Sequence, residues 1–381
     1  MSESSGPASP SVGVGAELLH ERLKEHTGPD GFVPFDRFMD VALYGEGVGF
    51  YAREEPPFGR KGAFYTAAHA SPLFGRTIAE RVRQVARSVP DGAPFRVVDA
   101  GAGDGTLGEA LVGGLSEDRE LVPRLEYVLV ERSVALSVRA LDRVSGAARS
   151  SGIPVRALGS VAADGPFVGV VVANELLDAQ PARRLLWDGT AWNECGVRWN
   201  GEVFVPATVP STRPVPGPAL PPNPAPGTVV EFSPMAEAFV REVADHLRDG
   251  LFLVLDYGME EPELLAAHPS GTLAAVRQHR VVADPLADPG SSDLSVFVNF
   301  TRLRRVAARA GFSELSCRRQ AEALGAWGFP RVFDRAVSAA GSAEAEVRLR
   351  LGAKNLLFGF ERFHALEWSP GPAGNVPVGT T

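Results

Sequence analysis

Residues Phe95 to Leu111, FRVVDAGAGDGTLGEAL, constrain the fold more than any other stretch of the chain. Phe95, Val97 and Val98 form an apolar, β-rich run that ends in Asp99; Gly101, Gly103 and Gly105 follow, and Leu107, Ala110 and Leu111 then recur at helical spacing. The pattern predicts strand, glycine turn, helix, and so an α/β fold. Glycine has no Cβ and tolerates positive φ, so such a turn lets backbone approach a ligand closely, while the first N–H groups of the helix face whatever lies above the strand. A small polar ligand is expected there.

Spacing narrows the ligand. A dinucleotide fingerprint needs G-x-G-x-x-G, but position 106 is Thr and the third glycine arrives one residue early. The run Asp-x-Gly-x-Gly-x-Gly from Asp99 to Gly105 instead resembles the first motif of class I methyltransferases that use S-adenosylmethionine (SAM). That resemblance implies that Asp99, Gly101, Ala102, Gly103 and Gly105 pass under the methionine part of the cofactor, and that an acid ending the next strand holds the ribose. Leu125 to Val130 has a short strand pattern and Glu131 ends it. Two vicinal hydroxyls are donors that one carboxylate can accept together, so the chemistry suits the residue.

Further strand ends extend the site. Phe167 to Ala173 is the near-continuous apolar run of a central parallel strand and ends at Asn174-Glu175, and LFLVLDYG brings Asp256 and Tyr257 to a similar position. In an open α/β sheet, ligands lie beyond the carboxyl ends of the strands, which groups Asp99, Glu131, Asn174 and Glu175 as cofactor-binding and Asp256 and Tyr257 as substrate-binding. A helix cap is the alternative for Asn174 or Glu175, and a loop-orienting role for Asp256.

Around this core the chain divides into expected segments. Residues 1–15 are rich in Ser, Gly and Pro and are expected to be disordered. Residues 16–90 form a helical arm, with helices over Ala16 to Lys24 and after Pro34. Between 43 and 82, glycines alternate with aromatics, including Tyr44, Phe64 and Tyr65; the segment reads as a lid with a ligand-facing wall. The core takes 91–182 and 228–365, with a helix from Ser133 to Val144 and a short strand from Ile153 to Ala157. Residues 183–227 are a small antiparallel sheet carrying Trp187, Trp192 and Trp199, then a connection with nine prolines from Pro206 to Pro226. The insertion at 259–300 is an irregular active-site loop bearing Arg277, His279, Asp284, Asp288, Asp293 and Asn299. A helix follows from Arg302 to Gly311, a strand from Glu314 to Arg318, a closing strand from Asn355 to Arg362, and a disordered tail over 366–381.

Composition removes other classes. A net charge of −8 opposes a general nucleic-acid binder. Cys195 and Cys317 are isolated and read as buried thiols rather than a zinc or disulfide framework. The first twenty residues carry Glu3 and Glu17 and no Lys or Arg, unlike a secretory or transit peptide, and no apolar run approaches membrane-spanning length, so a cytoplasmic protein without a membrane partner is expected. Lysine occurs only at 24, 61 and 354 among 38 basic residues, which points to a GC-rich bacterial genome.

The phrases YGEGVGFY, KGAFYTAAHASPLFG, VVDAGAGDGTL, VLVERS, ANELLDAQP, VLDYG, GTLAAVRQHRVVADPLADPGSSDL and VFVNF stand in the order found in the MidA-like SAM-dependent methyltransferases, over roughly residues 30 to 330. The resemblance implies a Rossmann-like, mostly parallel seven-stranded sheet with an N-terminal arm and inserted substrate-covering segments, and SAM as cofactor. Mitochondrial members help assemble respiratory complex I and dimethylate an arginine of one of its subunits. This chain departs from the family at three acids: Gly62-Ala63-Phe64 replaces Gly-Asp-Phe, Ala68-His69 replaces Pro-Glu, and Val298-Asn299-Phe300 replaces Val-Asp-Phe.

Carboxylates suit a guanidinium, so these losses weaken an arginine acceptor. His69, with an unperturbed pKa of about 6.5, is the expected general base for a hydroxyl or carboxylic acid, with His279 beside it. Arg277 and His279 hold an anionic acceptor or pin the loop, and Asn299 joins the substrate residues. No metal is expected. The favoured expectation is an O-methyltransferase of a small, specialised metabolite. Arginine methylation of a protein and a non-catalytic assembly role are the alternatives, and a homodimer is left open.

Overall fold

The glycine-turn strand lies at the middle of the sheet. In the computed structural model, which describes residues 12–52, 66–90, 92–215, 220–222, 224–278 and 280–371, the central strands in chain order are β1 (Phe95–Ala100), β2 (Leu125–Val130), β3 (Val155–Leu158), β4 (Phe167–Asn174), β5 (Leu247–Met259), β6 (Phe312–Arg319) and β7 (Phe363–Pro370). Their order across the sheet is 3-2-1-4-5-7-6, all parallel except β7, which is antiparallel to both neighbours. A two-residue strand, Val298–Asn299, adds to the end of β5. The expected mostly parallel seven-stranded sheet is therefore present.

Alternation along the strands sends side chains to two cores. Val97, Val170, Val172, Leu251 and Leu253 pack on one face with the helices Leu73–Ala86 and Thr106–Leu115. Val98, Val171, Phe252 and Val254 pack on the other with Pro234–His246 and Phe300–Arg309. The first helix pair meets through small residues: a Cβ on Gly75 would stand 2.7 Å from that of Ala110 and 3.0 Å from the Leu111 nitrogen. Gly75→Leu is expected to lower stability by about 1–3 kcal/mol through overpacking, despite the gain in helix propensity. Urea unfolding with an unchanged midpoint would refute this.

A third core ties the remaining segments into a cap. The helices Val12–Leu23 and Phe35–Tyr44 contribute Leu19 and Phe38; the insertion contributes Val197 and Phe204; the excursion contributes Ala275 and Leu294. The insertion is antiparallel: Trp192–Trp199 pairs along one edge with Phe204–Pro210 and along the other with Arg183–Trp187 at one end and Phe32–Pro34 at the other, and Val229–Phe232 lies beyond Arg183–Trp187.

Several expectations need correction. Helix begins at Val12, inside the segment expected to be disordered. The segment at 43–82, read as a lid, runs into the buried helix Leu73–Ala86. Pro206 and Pro210 lie within a strand; its other edge has no strand partner among the described residues, and residues four apart direct their missing N–H groups to the same edge. The 259–300 insertion is not irregular throughout: it holds the helix Glu261–Ala267 and a three-stranded sheet from Ala274–Arg277, Arg280–Val281 and Asp293–Ser295. Asn355 to Phe358 closes the helix Ala343–Phe358, because Gly352, Ala353 and Leu356 are buried at helical spacing. The closing strand is β7 instead, so residues 366–370 belong to the sheet rather than to a disordered tail. The helices Gln320–Trp327 and Phe329–Ser338 were not anticipated. Cys195 and Cys317 are free and only partly buried.

Candidate active site

Strand order reverses between β1 and β4, and a cavity of about 380 Å³ opens there beyond the strand ends. Its floor is the turn after β1. Gly101, Gly103 and Gly105 have φ of 71°, 56° and 81°; a Cβ on Gly101 would come 2.8 Å from Leu176 Cδ1, and one on Gly105 2.8 Å from Ala140 Cα. Ala102 lies between them on the wall. Asp104, which the motif did not single out, accepts from the Thr106 nitrogen at 3.0 Å and starts the following helix.

Four polar side chains from the strand ends reach the cavity. Asp99 is buried and accepts from the Tyr127 hydroxyl at 3.0 Å; burial pushes its pKa up to about 7. Glu131 accepts from the backbone of Gly103 at 2.9 Å and Ser133 at 2.8 Å, and burial raises its pKa. Asn174 directs Nδ2 to Glu175, while its buried Oδ1 has no partner among the described residues. Glu175 has a left-handed backbone, φ 50°, unusual for a residue with a side chain, and its carboxylate accepts from the Ala67 nitrogen at 3.1 Å. Burial pushes it up to about 8.

The arm closes the other side. His69 lines the cavity, but its Nδ1 lies 2.7 Å from Thr66 Oγ1 and its Nε2 3.5 Å from Asp104, so the ring is oriented toward protein groups on both sides. Tyr44 and Tyr51 stack with ring centroids 5.4 Å apart and also line it. Tyr51 donates to Asp293 at 2.7 Å and Tyr44 to the Ala179 carbonyl at 3.2 Å.

Other expected residues are placed away from this wall. Asp256 lies inside β5 rather than at its end, and holds the chain after β4 by accepting from Leu177 at 2.8 Å and Asp178 at 3.3 Å. Tyr257 donates to Ser295 at 2.5 Å. Arg277 is exposed and pairs with Asp288 at 2.6 Å, so it pins its loop. Asn299 caps the helix Phe300–Arg309, accepting from Arg302 at 2.9 Å. Phe64, Tyr65 and His279 lie outside the described residues. The residues that sequence reasoning left out of the site are Tyr51, Asp104 and Asp178; Asp293 was placed on the active-site loop without its partner Tyr51.

A nucleoside-sized ligand carrying a charged amino acid suits these walls. The cavity has the volume of a small-molecule site, its floor admits no side chain at Gly101 or Gly105, and the Asn174 Oδ1 is an orphaned acceptor for an ammonium donor. Residues 73–316 match the family model described as "Putative S-adenosyl-L-methionine-dependent methyltransferase". The chain belongs to this family. Over 97% of its length this methyltransferase is similar to 96% of a COG1565 superfamily member from Burkholderia thailandensis, whose crystal structure is bound to S-adenosyl-homocysteine, with a TM-score of 0.83 and 30% identity. It is also 27% identical to the mitochondrial protein arginine methyltransferase NDUFAF7 homolog of Drosophila melanogaster, over 81% of this chain and 73% of that one. The human protein arginine methyltransferase NDUFAF7 is 25% identical, over 76% of this chain and 68% of the relative. The enzyme is a methyltransferase and its cofactor is SAM.

Proposed function

We propose that this enzyme methylates a guanidinium nitrogen of a protein arginine. One observation carries the reading: Glu175 on the cavity wall and the carboxyl groups of Asp178, Asp256 and Asp293 behind it have no basic partner among the described residues. Other buried acids of the chain are paired with arginine, Glu194 with Arg183 at 2.5 Å and Glu237 with Arg302 at 2.6 Å, while Asp99 has, among the described residues, only the Tyr127 hydroxyl. Burial pushes Asp293 up to about 8 and Asp178 to about 6, and raises Asp256 well above the ordinary range. Unpaired buried anions are unfavourable. A cation entering beside Glu175 supplies the missing charge, worth about 4 kcal/mol at 4 Å for an effective dielectric near 20. A neutral hydroxyl supplies none.

Two sequence arguments for an oxygen acceptor lose force against this geometry. The His69 ring already faces Thr66 and Asp104, so it is poorly placed as a general base. Asn299 caps a helix away from the cavity, so the acid missing there does not bear on the acceptor. The fly and human relatives named as protein arginine methyltransferases support a protein acceptor.

In this reading Glu131 accepts from the ribose hydroxyls, the glycine turn and the Asn174 carbonyl hold the amino-acid end, and Glu175 orients the guanidinium fork. When bound, SAM supplies a methyl group on a sulfonium with sulfur as leaving group. Tyr44 and Tyr51 cover the cavity and limit water.

Labelled SAM incubated with the enzyme and cell protein is expected to put label in a protein band that yields methylarginine on hydrolysis. Label confined to an organic extract would overturn the reading. Glu175→Gln is expected to raise the acceptor KM roughly tenfold to a hundredfold, the worth of a charged hydrogen bond, with SAM affinity unchanged.

A further inference from the structure

Methylating a guanidinium leaves a cation, so one N–H proton must depart, and the cavity needs a place for it. Glu175, the wall carboxylate assigned to the acceptor above, would no longer attract it once protonated. The His69 ring faces Thr66 and Asp104. Among the described residues Tyr51 joins the cavity wall to a buried base: it lines the cavity and its hydroxyl donates to Asp293 Oδ1 at 2.7 Å. Behind them Asp178, 2% exposed, leaves Oδ1 without a partner among the described residues, an acceptor held open beside this pair.

We propose that Tyr51 and Asp293 form the route by which the methylated nitrogen loses its proton. The inference rests on the guanidinium reading above. The acceptor nitrogen donates its electron pair to the new N–C bond, and the methyl–sulfur bond returns its pair to sulfur. The excess N–H proton passes to the Tyr51 oxygen as the Tyr51 proton moves to the Asp293 carboxylate. Asp293 then holds a carboxylic acid, and the proton leaves to water when the product departs. Tyr51 is a catalytic residue in this scheme and Asp293 acts through it.

Among the described residues, the groups facing Asp293 are Tyr44, Tyr51, Glu175, Asp178 and Tyr257, none of them basic. Burial first, and the charge of Asp178 second, push Asp293 up to about 8. The route is therefore blocked by a proton at low pH and opens as pH rises toward that value.

The test uses the full chain and an arginine peptide taken from the labelled band. The wild-type kcat is expected to climb with unit slope toward a plateau near pH 8. Asp293→Asn and Tyr51→Phe are expected to lower the plateau at least about tenfold, the low end for a proton-transfer group, and to lose that limb. Asp293→Glu should keep it. A second readout needs no turnover: with S-adenosyl-homocysteine bound, calorimetry in two buffers at pH 7 should show the peptide releasing about one proton more from wild type than from Asp293→Asn. Unchanged affinity for S-adenosyl-homocysteine certifies each variant as folded. A variant that binds it normally yet retains the wild-type limb and proton release overturns the route. Wild type that labels no arginine overturns the acceptor reading instead, and the route with it.

Discussion

Glu131→Ala is expected to bind SAM at least about a hundredfold more weakly than wild type in a calorimetric titration, since two charge-assisted hydrogen bonds at roughly 1.5–3 kcal/mol each are lost. The carboxylate already accepts from Gly103 and Ser133, but two oxygens offer about four lone pairs, which leaves capacity for two ribose hydroxyls. Removing it also strips an acceptor from the Gly103 N–H, so the turn that shapes the floor loosens. Glu131→Gln keeps one acceptor oxygen and loses the charge, and should fall between wild type and Ala. Because burial raises the Glu131 pKa, wild-type affinity should strengthen as pH rises through that titration, and the Gln variant should lack this dependence. Equal SAM affinity in wild type and Ala would remove Glu131 from the cofactor site.

The cofactor side of the cavity was legible because its chemistry is local. Strand, turn and helix are contiguous from Phe95 to Leu115, and only glycine fits a turn with φ of 71° and 81° hard against Leu176 and Ala140. Glu131 follows its strand by one residue. The acceptor side depends on pairs remote in sequence: Tyr51 meets Asp293 across 242 positions, and no period or motif announces such a contact. Position at a strand end was too coarse a rule for Asp256, because β5 continues to Met259 and the carboxylate turns to backbone N–H groups. The closing strand was hidden by its own polar residues. Glu367 is buried there with Arg81, from a helix far earlier in the chain, and the Ser316 hydroxyl as its partners.

Raising the pH from about 5.5 to 9 is expected to lower the melting temperature of the ligand-free enzyme, and Asp293→Asn should flatten the fall. Asp293 has a folded pKa of about 8 against an ordinary 3.8. An acid whose folded pKa is raised contributes stability that is complete below its unfolded pKa and is lost as pH rises through the folded one. For Asp293 alone the full shift is on the order of 5 kcal/mol, at 1.36 kcal/mol per unit. Glu175, Asp99 and Asp178, raised to about 8, 7 and 6, carry the same sign. Asp104 runs the other way: its burial is outweighed by hydrogen bonds from His69 and Thr106, so its contribution is present above its unfolded pKa and lost in acid. Stability should therefore peak in mildly acidic solution. The Asn variant keeps a carbonyl to accept from Tyr51 but has no charge to bury, so its advantage over wild type should open above the unfolded pKa of 3.8, be partial at pH 5.5 and reach several degrees at pH 9. Parallel curves for the two proteins would mean that Asp293 stays ionised throughout, already neutralised by a cation, and that the site does not wait for its acceptor to supply the charge.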